Sequence, residues 1–222
     1  MIQHLIEEHR KIQSLLNILK TQTYLVEDSN VHNALALKEI MHVIKILARD
    51  LHHHKEEAIL FPLLDELPQL KNGGPKCTLF YGIKMEKNFD AKIKKALLEE
   101  PDVIAPPAWI DITKSLHDKN SPLKIPLDEH DYGYYYVNLI SKEIQRYGED
   151  PLRTHPLIVL LLQFVDLMEF HIKKEDECLY QVALTALSSE VLCEMRGQAL
   201  TLDQSKAKEL ELVDLVMAKY SN

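Results

Sequence analysis

The stretch His52-His53-His54-Lys55-Glu56-Glu57-Ala58-Ile59-Leu60-Phe61-Pro62 sets imidazoles and carboxylates one helical turn apart, just ahead of an apolar run. His171-Ile172-Lys173-Lys174-Glu175-Asp176-Glu177-Cys178-Leu179-Tyr180 repeats the pattern in the second half of the chain. Residues i and i+4 of a helix project from one face, so both side chains can reach a common point. His52 with Glu56 and His171 with Glu175 satisfy that spacing, and so does His53 with Glu57. Each segment also has an upstream companion: Glu7-Glu8-His9 precedes the first and Asp128-Glu129-His130 the second, at nearly equal intervals. The chain therefore reads as two copies of a helical hairpin. Each copy offers one histidine from its first helix and a histidine and a glutamate from its second. Packed antiparallel, the two hairpins bring four imidazoles and two carboxylates into the core of a four-helix up-down bundle, a recognised setting for a dinuclear metal site.

Hydrophobic periodicity supports four long helices. Ile2, Leu5, Ile12, Leu16 and Leu19 form one stripe at a 3.6-residue period, with His9 in its middle and His4 turned toward solvent. This predicts a first helix over 1–27. A second runs over 31–66, started by Ser29 or Asn30 as N-cap and bracketed at its end by Pro62 and Pro68. The third spans 126–148 and closes at Gly148, and the fourth spans 156–187. Two further helical stretches, 189–200 and 203–219, form a C-terminal extension. The organisation expected is thus an all-α bundle over 1–187, with an insertion at 68–122 and the extension at 188–222. The insertion gathers the turn punctuation (Asn72-Gly73-Gly74-Pro75, Pro101, Pro106-Pro107, Ser121-Pro122) around a helix-compatible stretch at 76–99. It is too short and too polar to bury a core of its own.

Which histidine of the 52–54 run faces the core depends on the helical frame. On an α-helical wheel Lys38, His42, Lys45, Arg49 and Asp50 surround His53, whereas Leu37, Ile40, Met41, Ile44, Leu47, Ala48 and Leu51 lie opposite. His52 adjoins the apolar side, and the internal repeat aligns it with His171. That favours His52 with Glu56, with His53 and Glu57 as the alternative frame. The candidate metal ligands are then His9, His52, Glu56, His130, His171 and Glu175. His4, His32, His42, His117 and His155 read as surface or structural residues. Imidazole and carboxylate without thiolate suit iron, manganese or zinc, and ligand type alone does not separate these.

Composition narrows the function classes. The 222 residues carry a net charge of −8 with no basic block, which argues against nucleic acid or an anionic membrane surface as partner. Six glycines and 46% hydrophobic residues suit a helical globular chain. Cys77, Cys178 and Cys193 are widely spaced, which argues against a disulfide framework and leaves Cys178 as a buried thiol. With no export or membrane signal in the sequence, a cytoplasmic location is expected. Eleven histidines exceed what packing requires of a helical domain.

Taken in order, Glu8-His9, the run from His52 to Pro62, Glu129-His130-Asp131-x-Gly133, and His171-Ile172-x-Lys174-Glu175 with Leu179-Tyr180 resemble the hemerythrin-like HHE cation-binding family. The resemblance covers 1–67 and 123–187. It implies a four-helix bundle holding a non-haem di-iron centre, two iron ions bridged by the two carboxylates and commonly by an oxo or hydroxo group. It also implies a small diatomic ligand, dioxygen or nitric oxide, in sensing, stress response or iron handling. An oxygen-, peroxide- or nitric-oxide-converting enzyme and an iron-donating or repair protein are the alternatives. Oxygen-carrying members resemble an arrangement with five histidines and an Asp in place of the last Glu. Here Tyr134 stands one turn after His130 where a further histidine is expected, so the four-histidine, two-glutamate set is closer to the repair-type members. Tyr134 packs in the core, its hydroxyl within reach of the metal. The insertion, with Phe80, Tyr81, Phe89 and Trp109, is expected to fold against the bundle as a lid over one end of the site, the alternatives being a solvent-facing elaboration or a subunit contact. Oligomeric state stays open.

Overall fold

The computed structural model describes residues 1–29, 33–71, 123–150 and 154–221. Residues 72–122 of the insertion, and with them the helix at 76–99 and the lid, lie outside the described residues, as do His32 and His117. Among the described residues the chain is helical throughout. The elements are α1 (Ile2–Ser29), α2 (34–65), α3 (Pro68–Lys71), α4 (Lys124–Glu149), α5 (Thr154–Ala186), α6 (Ser189–Ser205) and α7 (Ala207–Tyr220).

Two of these helices change pitch. Within α2 an α-helical start at Ala34–Ile44 gives way to π-helix over Lys45–His53 and again over Glu56–Leu60, before α-helix resumes at Phe61–Asp65. In α5 the π-helical turn is confined to Glu175–Leu179, the segment equivalent to Glu56–Leu60. The π-helix bonds i to i+5, and such turns concentrate at functional sites. Here they fall on the segments that carry the histidine and glutamate repeat.

Long apolar helices bury their stripes against one another. α1 packs on α2 and α5, and α4 packs on the same two, so these four helices close a ring of contacts. The short connections at 30–33 and 150–153 fit neighbours within each hairpin. α7 lies across α2 and α1, and α6 meets α2 at its second π-helical segment. The predicted helices match these within a few residues. The start of α2 is the exception: Asn33 precedes it without capping, and its amide donates to Gln22 instead at 2.7 Å.

The interior separates into two apolar bodies. The larger includes Ile12, Leu16, Leu47, Leu51, Ile140, Phe164 and Ile172, and α7 joins it through Val213 and Val216. The smaller includes Ile2, Leu5, Leu60, Phe61, Leu127, Leu179 and Ala183, and α6 joins it through Met195 and Ala199. Along each helix the boundary between them falls at the histidines: Leu5 and Ile12 flank His9, Leu51 and Leu60 flank His52 and Glu56, Leu127 and Val137 flank His130, and Ile172 and Leu179 flank Glu175. A polar layer is thus sealed between two greasy ones. α5 is long and apolar enough to cross a membrane by length and composition, but half of its most apolar window is buried in this interior, as in a core helix.

Candidate metal centre

All six residues singled out by the repeat meet in the polar layer. His9, His52, Glu56 and Glu175 place ligand atoms within 4.8 Å of one another, and so do His53, Glu56, His130 and His171. Glu56 belongs to both groups. Every one of these side chains is buried.

The Nε2 atoms point inward, onto the two carboxylates. Those of His9 and His171 lie 3.3 and 3.2 Å from Glu175 Oε2, and those of His52 and His130 lie 3.5 and 3.4 Å from Glu56 Oε2. His130 Nε2 is also 3.8 Å from Glu175 Oε1. Two donors each about 2.1 Å from a shared metal ion stand about 3.0–3.4 Å apart at right-angled to tetrahedral geometry. The spacing is therefore that of ligands around an ion. Seven of the nine buried side-chain atoms without a hydrogen-bond partner among the described residues belong to this layer: Nε2 of His130 and His171, both ring nitrogens of His53, Glu56 Oε2 and both oxygens of Glu175; the other two are Gln163 Oε1 and Asp203 Oδ1. Buried polar atoms are costly unless satisfied, and cations in the layer would satisfy Nε2 of His130 and His171, one ring nitrogen of His53 and the carboxylate oxygens together. The residues present fit a metal pair.

His53 departs from the sequence expectation. An α-helical wheel puts it at the centre of the polar face, yet it is only 2% exposed, and its ring stacks on that of His130 with centroids 3.7 Å apart. The cause is the π-helical stretch over Lys45–His53, in which each residue advances less around the axis than an α-helix allows. Downstream faces are rotated, and His52 and His53 both turn inward. In α5 the residue equivalent to His53 is Ile172, so that helix contributes one histidine there. The layer thus holds five imidazoles, and the choice between His52 and His53 dissolves.

A second carboxylate orients each of the other four rings through Nδ1. His52 donates to Glu8 at 3.0 Å, His171 to Glu129 at 3.1 Å, His130 to Glu57 at 2.6 Å and His9 to Asp176 at 2.7 Å. An acceptor at Nδ1 fixes the proton there and leaves the Nε2 lone pair for a metal, which raises its basicity. The arrangement follows the repeat: the acid before the first-helix histidine serves the second helix of its own hairpin, and the acid after Glu56 or Glu175 serves the other hairpin. Sequence reasoning did not assign these roles, although the signal was there in the matched pairs Glu8 and Glu129, Glu57 and Asp176. A further matched pair, Lys55 and Lys174, contacts Glu8 and Glu129 respectively. Two hydroxyls complete the layer. Tyr180 donates to Glu56 Oε1 at 2.6 Å from a position 3.4–3.5 Å from Nε2 of His52 and His9. Tyr134 donates to Glu57 at 3.1 Å, so it supports His130 through that carboxylate.

Burial and the neighbouring carboxylates pull the imidazoles of the layer in opposite directions. Burial works against a charge on His9, but hydrogen bonds to Asp176 and Glu175 outweigh it and raise its pKa to about 9. His130 is raised to about 10 against burial by Glu56 and Glu57. Burial wins at His171, lowered to about 4, and at His53, held well below its ordinary value with the neighbouring imidazoles adding to the effect. Glu56 is pulled below the carboxylate range despite its burial, by His52, His130 and His9. Raised folded-state values mean that His9 and His130 contribute stability to the metal-free chain that is full below about pH 6.5 and lost as pH rises through 9 to 10. Metal needs neutral imidazole, so uptake at neutral pH is expected to expel about two protons per chain, as read by an indicator dye in weak buffer. Proton-neutral uptake would contradict this charge assignment.

Two other expectations change. His4 is not turned to solvent, because α6 covers it and its Nε2 donates to Asp203 at 2.8 Å. Cys178 is disulfide-bonded rather than a free thiol, whereas Cys193 is free and exposed, and Cys77 lies outside the described residues. His42 and His155 are exposed, as expected.

Residues 1–75 match the family model described as Hemerythrin HHE cation binding domain. The match takes in α1 and α2, the helices of His9, His52, His53 and Glu56. No curated protein and no solved structure matches the chain. The second hairpin lies beyond the family match and is tied to the first by the internal repeat and by the geometry of the shared layer.

Proposed function

We propose that the chain is a non-haem di-iron protein, an up-down four-helix bundle whose centre takes a small diatomic ligand, dioxygen or nitric oxide, in sensing, stress response or iron handling. The observation that carries this reading is the convergence of unpartnered, buried Nε2 and carboxylate oxygens from both hairpins onto one layer. In it His9 and His52 hold one ion, His53, His130 and His171 hold the other, and Glu56 and Glu175 lie between the two groups. Iron held this way supplies redox chemistry and a site for a small ligand. The protein's own contribution is orientation and exclusion: four Nδ1 anchors fix the rings, two apolar bodies keep bulk water out, and Tyr180 holds one oxygen of Glu56.

Metal analysis of the anaerobically loaded chain is expected to return close to two iron ions per chain. A single ion in a mononuclear site would overturn the reading. Exposure of the reduced protein to dioxygen and to nitric oxide, followed by optical spectroscopy, tests the ligand. A stable adduct supports binding, and sustained consumption of either gas or of peroxide moves the assignment to an enzyme.

A further inference from the structure

The outer shell of the metal layer is symmetric up to its lysines and no further. In the second hairpin Lys174 contacts Glu129, which holds His171. In the first hairpin Lys55 contacts Glu8, which holds His52, and Lys55 also contacts Asp203 of α6. Asp203 also accepts a hydrogen bond from His4, through Oδ2 at 2.8 Å, and His4 lies 3.5 Å from Glu8 one turn along α1. Asp203 stands in the C-terminal extension, beyond the family match at 1–75.

His4, Glu8 and Asp203 also bring donor atoms close enough together for a cation. The cation there is Lys55 itself, whose ammonium touches both carboxylates, so this cluster is not a third metal position. Lys55 is fully buried. A buried ammonium is costly unless its charge is balanced and its protons are bonded. Glu8 alone must otherwise serve both Lys55 through Oε1 and His52 through Oε2. Asp203 supplies a second negative charge, so that Lys55 is shared between two carboxylates and Glu8 remains set for His52. Lys174 has Glu129 as its paired carboxylate.

We propose that Asp203 is a positioning residue for His52, acting through Lys55 and Glu8, and that the C-terminal extension thereby tunes the His9 and His52 metal position separately from the His53, His130 and His171 position. The proposal rests on the dinuclear reading above. Orientation of a ligand by outer partners typically changes metal affinity 10–100-fold.

Cobalt(II), which absorbs visibly when bound, is the probe. It is titrated into the metal-free full chain for the wild type, Asp203→Asn, Asp203→Glu and Lys174→Met, with the melting temperature of each metal-free protein measured alongside. The wild type is expected to take two ions in two steps. Asp203→Asn is expected to weaken one step about tenfold and leave the other unchanged. Asp203→Glu, which keeps the charge, should fall between that variant and the wild type, and Lys174→Met should weaken the opposite step. Unchanged binding in Asp203→Asn would overturn the relay. Equal weakening of both steps with a lowered metal-free melting temperature would also overturn it, since that marks loss of helix docking alone. A wild-type chain that binds one cobalt ion fails at the dinuclear reading instead, before any variant is compared.

Discussion

Glu56→Ala is expected to lose both metal ions under conditions in which the wild type keeps two, because Glu56 is the one side chain common to both ligand groups. Its Oε2 stands 3.5 Å from Nε2 of His52 on one side and 3.4 Å from Nε2 of His130 on the other. The stability consequence follows by linkage. An ion present at a thousand times its Kd stabilises the folded state by about 4.1 kcal/mol. In a chain of this size each kcal/mol corresponds to about 2–4 °C, so loss of one such ion lowers Tm by about 8–16 °C, and loss of two by more. The metal-free protein should respond far less. There the substitution deletes the acceptor of Tyr180, bonded at 2.6 Å, but it also removes a fully buried carboxylate whose burial carries its own cost. Scanning calorimetry with and without added metal separates the two effects. A similar fall in both would mean that Glu56 is structural and that the layer does not depend on an ion.

The helices and the grouping of the candidate ligands were legible in sequence because they rest on local periodicity. The stripe from Ile2 to Leu19 marks α1, and the i, i+4 pairs mark one face of α2 and of α5. The repeat told which of eleven histidines belong together, since no single His-x-x-x-Glu carries that information. His53 was not legible, because its direction depends on a change of helical pitch over Lys45–His53 that no local preference encodes. The internal repeat even argued against it, since it aligns His52 with His171 and sets Ile172 opposite His53. The Nδ1 anchors could have been read from the paired acids beside the ligands, had neighbouring positions been followed to the adjacent helices. A step of about 100° per residue takes Glu8 toward α2 while His9 points to the core. Contacts such as His4 with Asp203 were beyond reach for another reason. They join opposite ends of the chain, and only the docking of α6 against α2 creates them.

His53→Ala gives the sharpest separation between an α-helical frame for α2 and the observed one. In the α-helical frame His53 lies on the polar face, and its removal leaves two bound ions. In the structure His53 is one of three imidazoles in its ligand group, stacked at 3.7 Å on His130 and 5.5 Å from the His171 ring. Truncation there removes a ligand and opens a hole in a buried layer, so the chain is expected to fall from two ions to one. His52→Ala should also fall to one, but by loss of the other ion, because His52 groups with His9. The two variants are therefore distinct, and their double substitution should bind neither ion. His53 also differs from the other four rings in having no hydrogen-bond partner at either nitrogen among the described residues. Ring packing holds it without a hydrogen bond, so its ring resonances should shift on loading with a diamagnetic ion such as zinc more than those of His52, which Glu8 already holds at 3.0 Å. Two retained ions in His53→Ala, with an unmoved His53 resonance in the wild type, would return the site to four histidines. Loss of one ion in each single variant would place the fifth imidazole in the centre and the π-helical stretch of α2 as its cause.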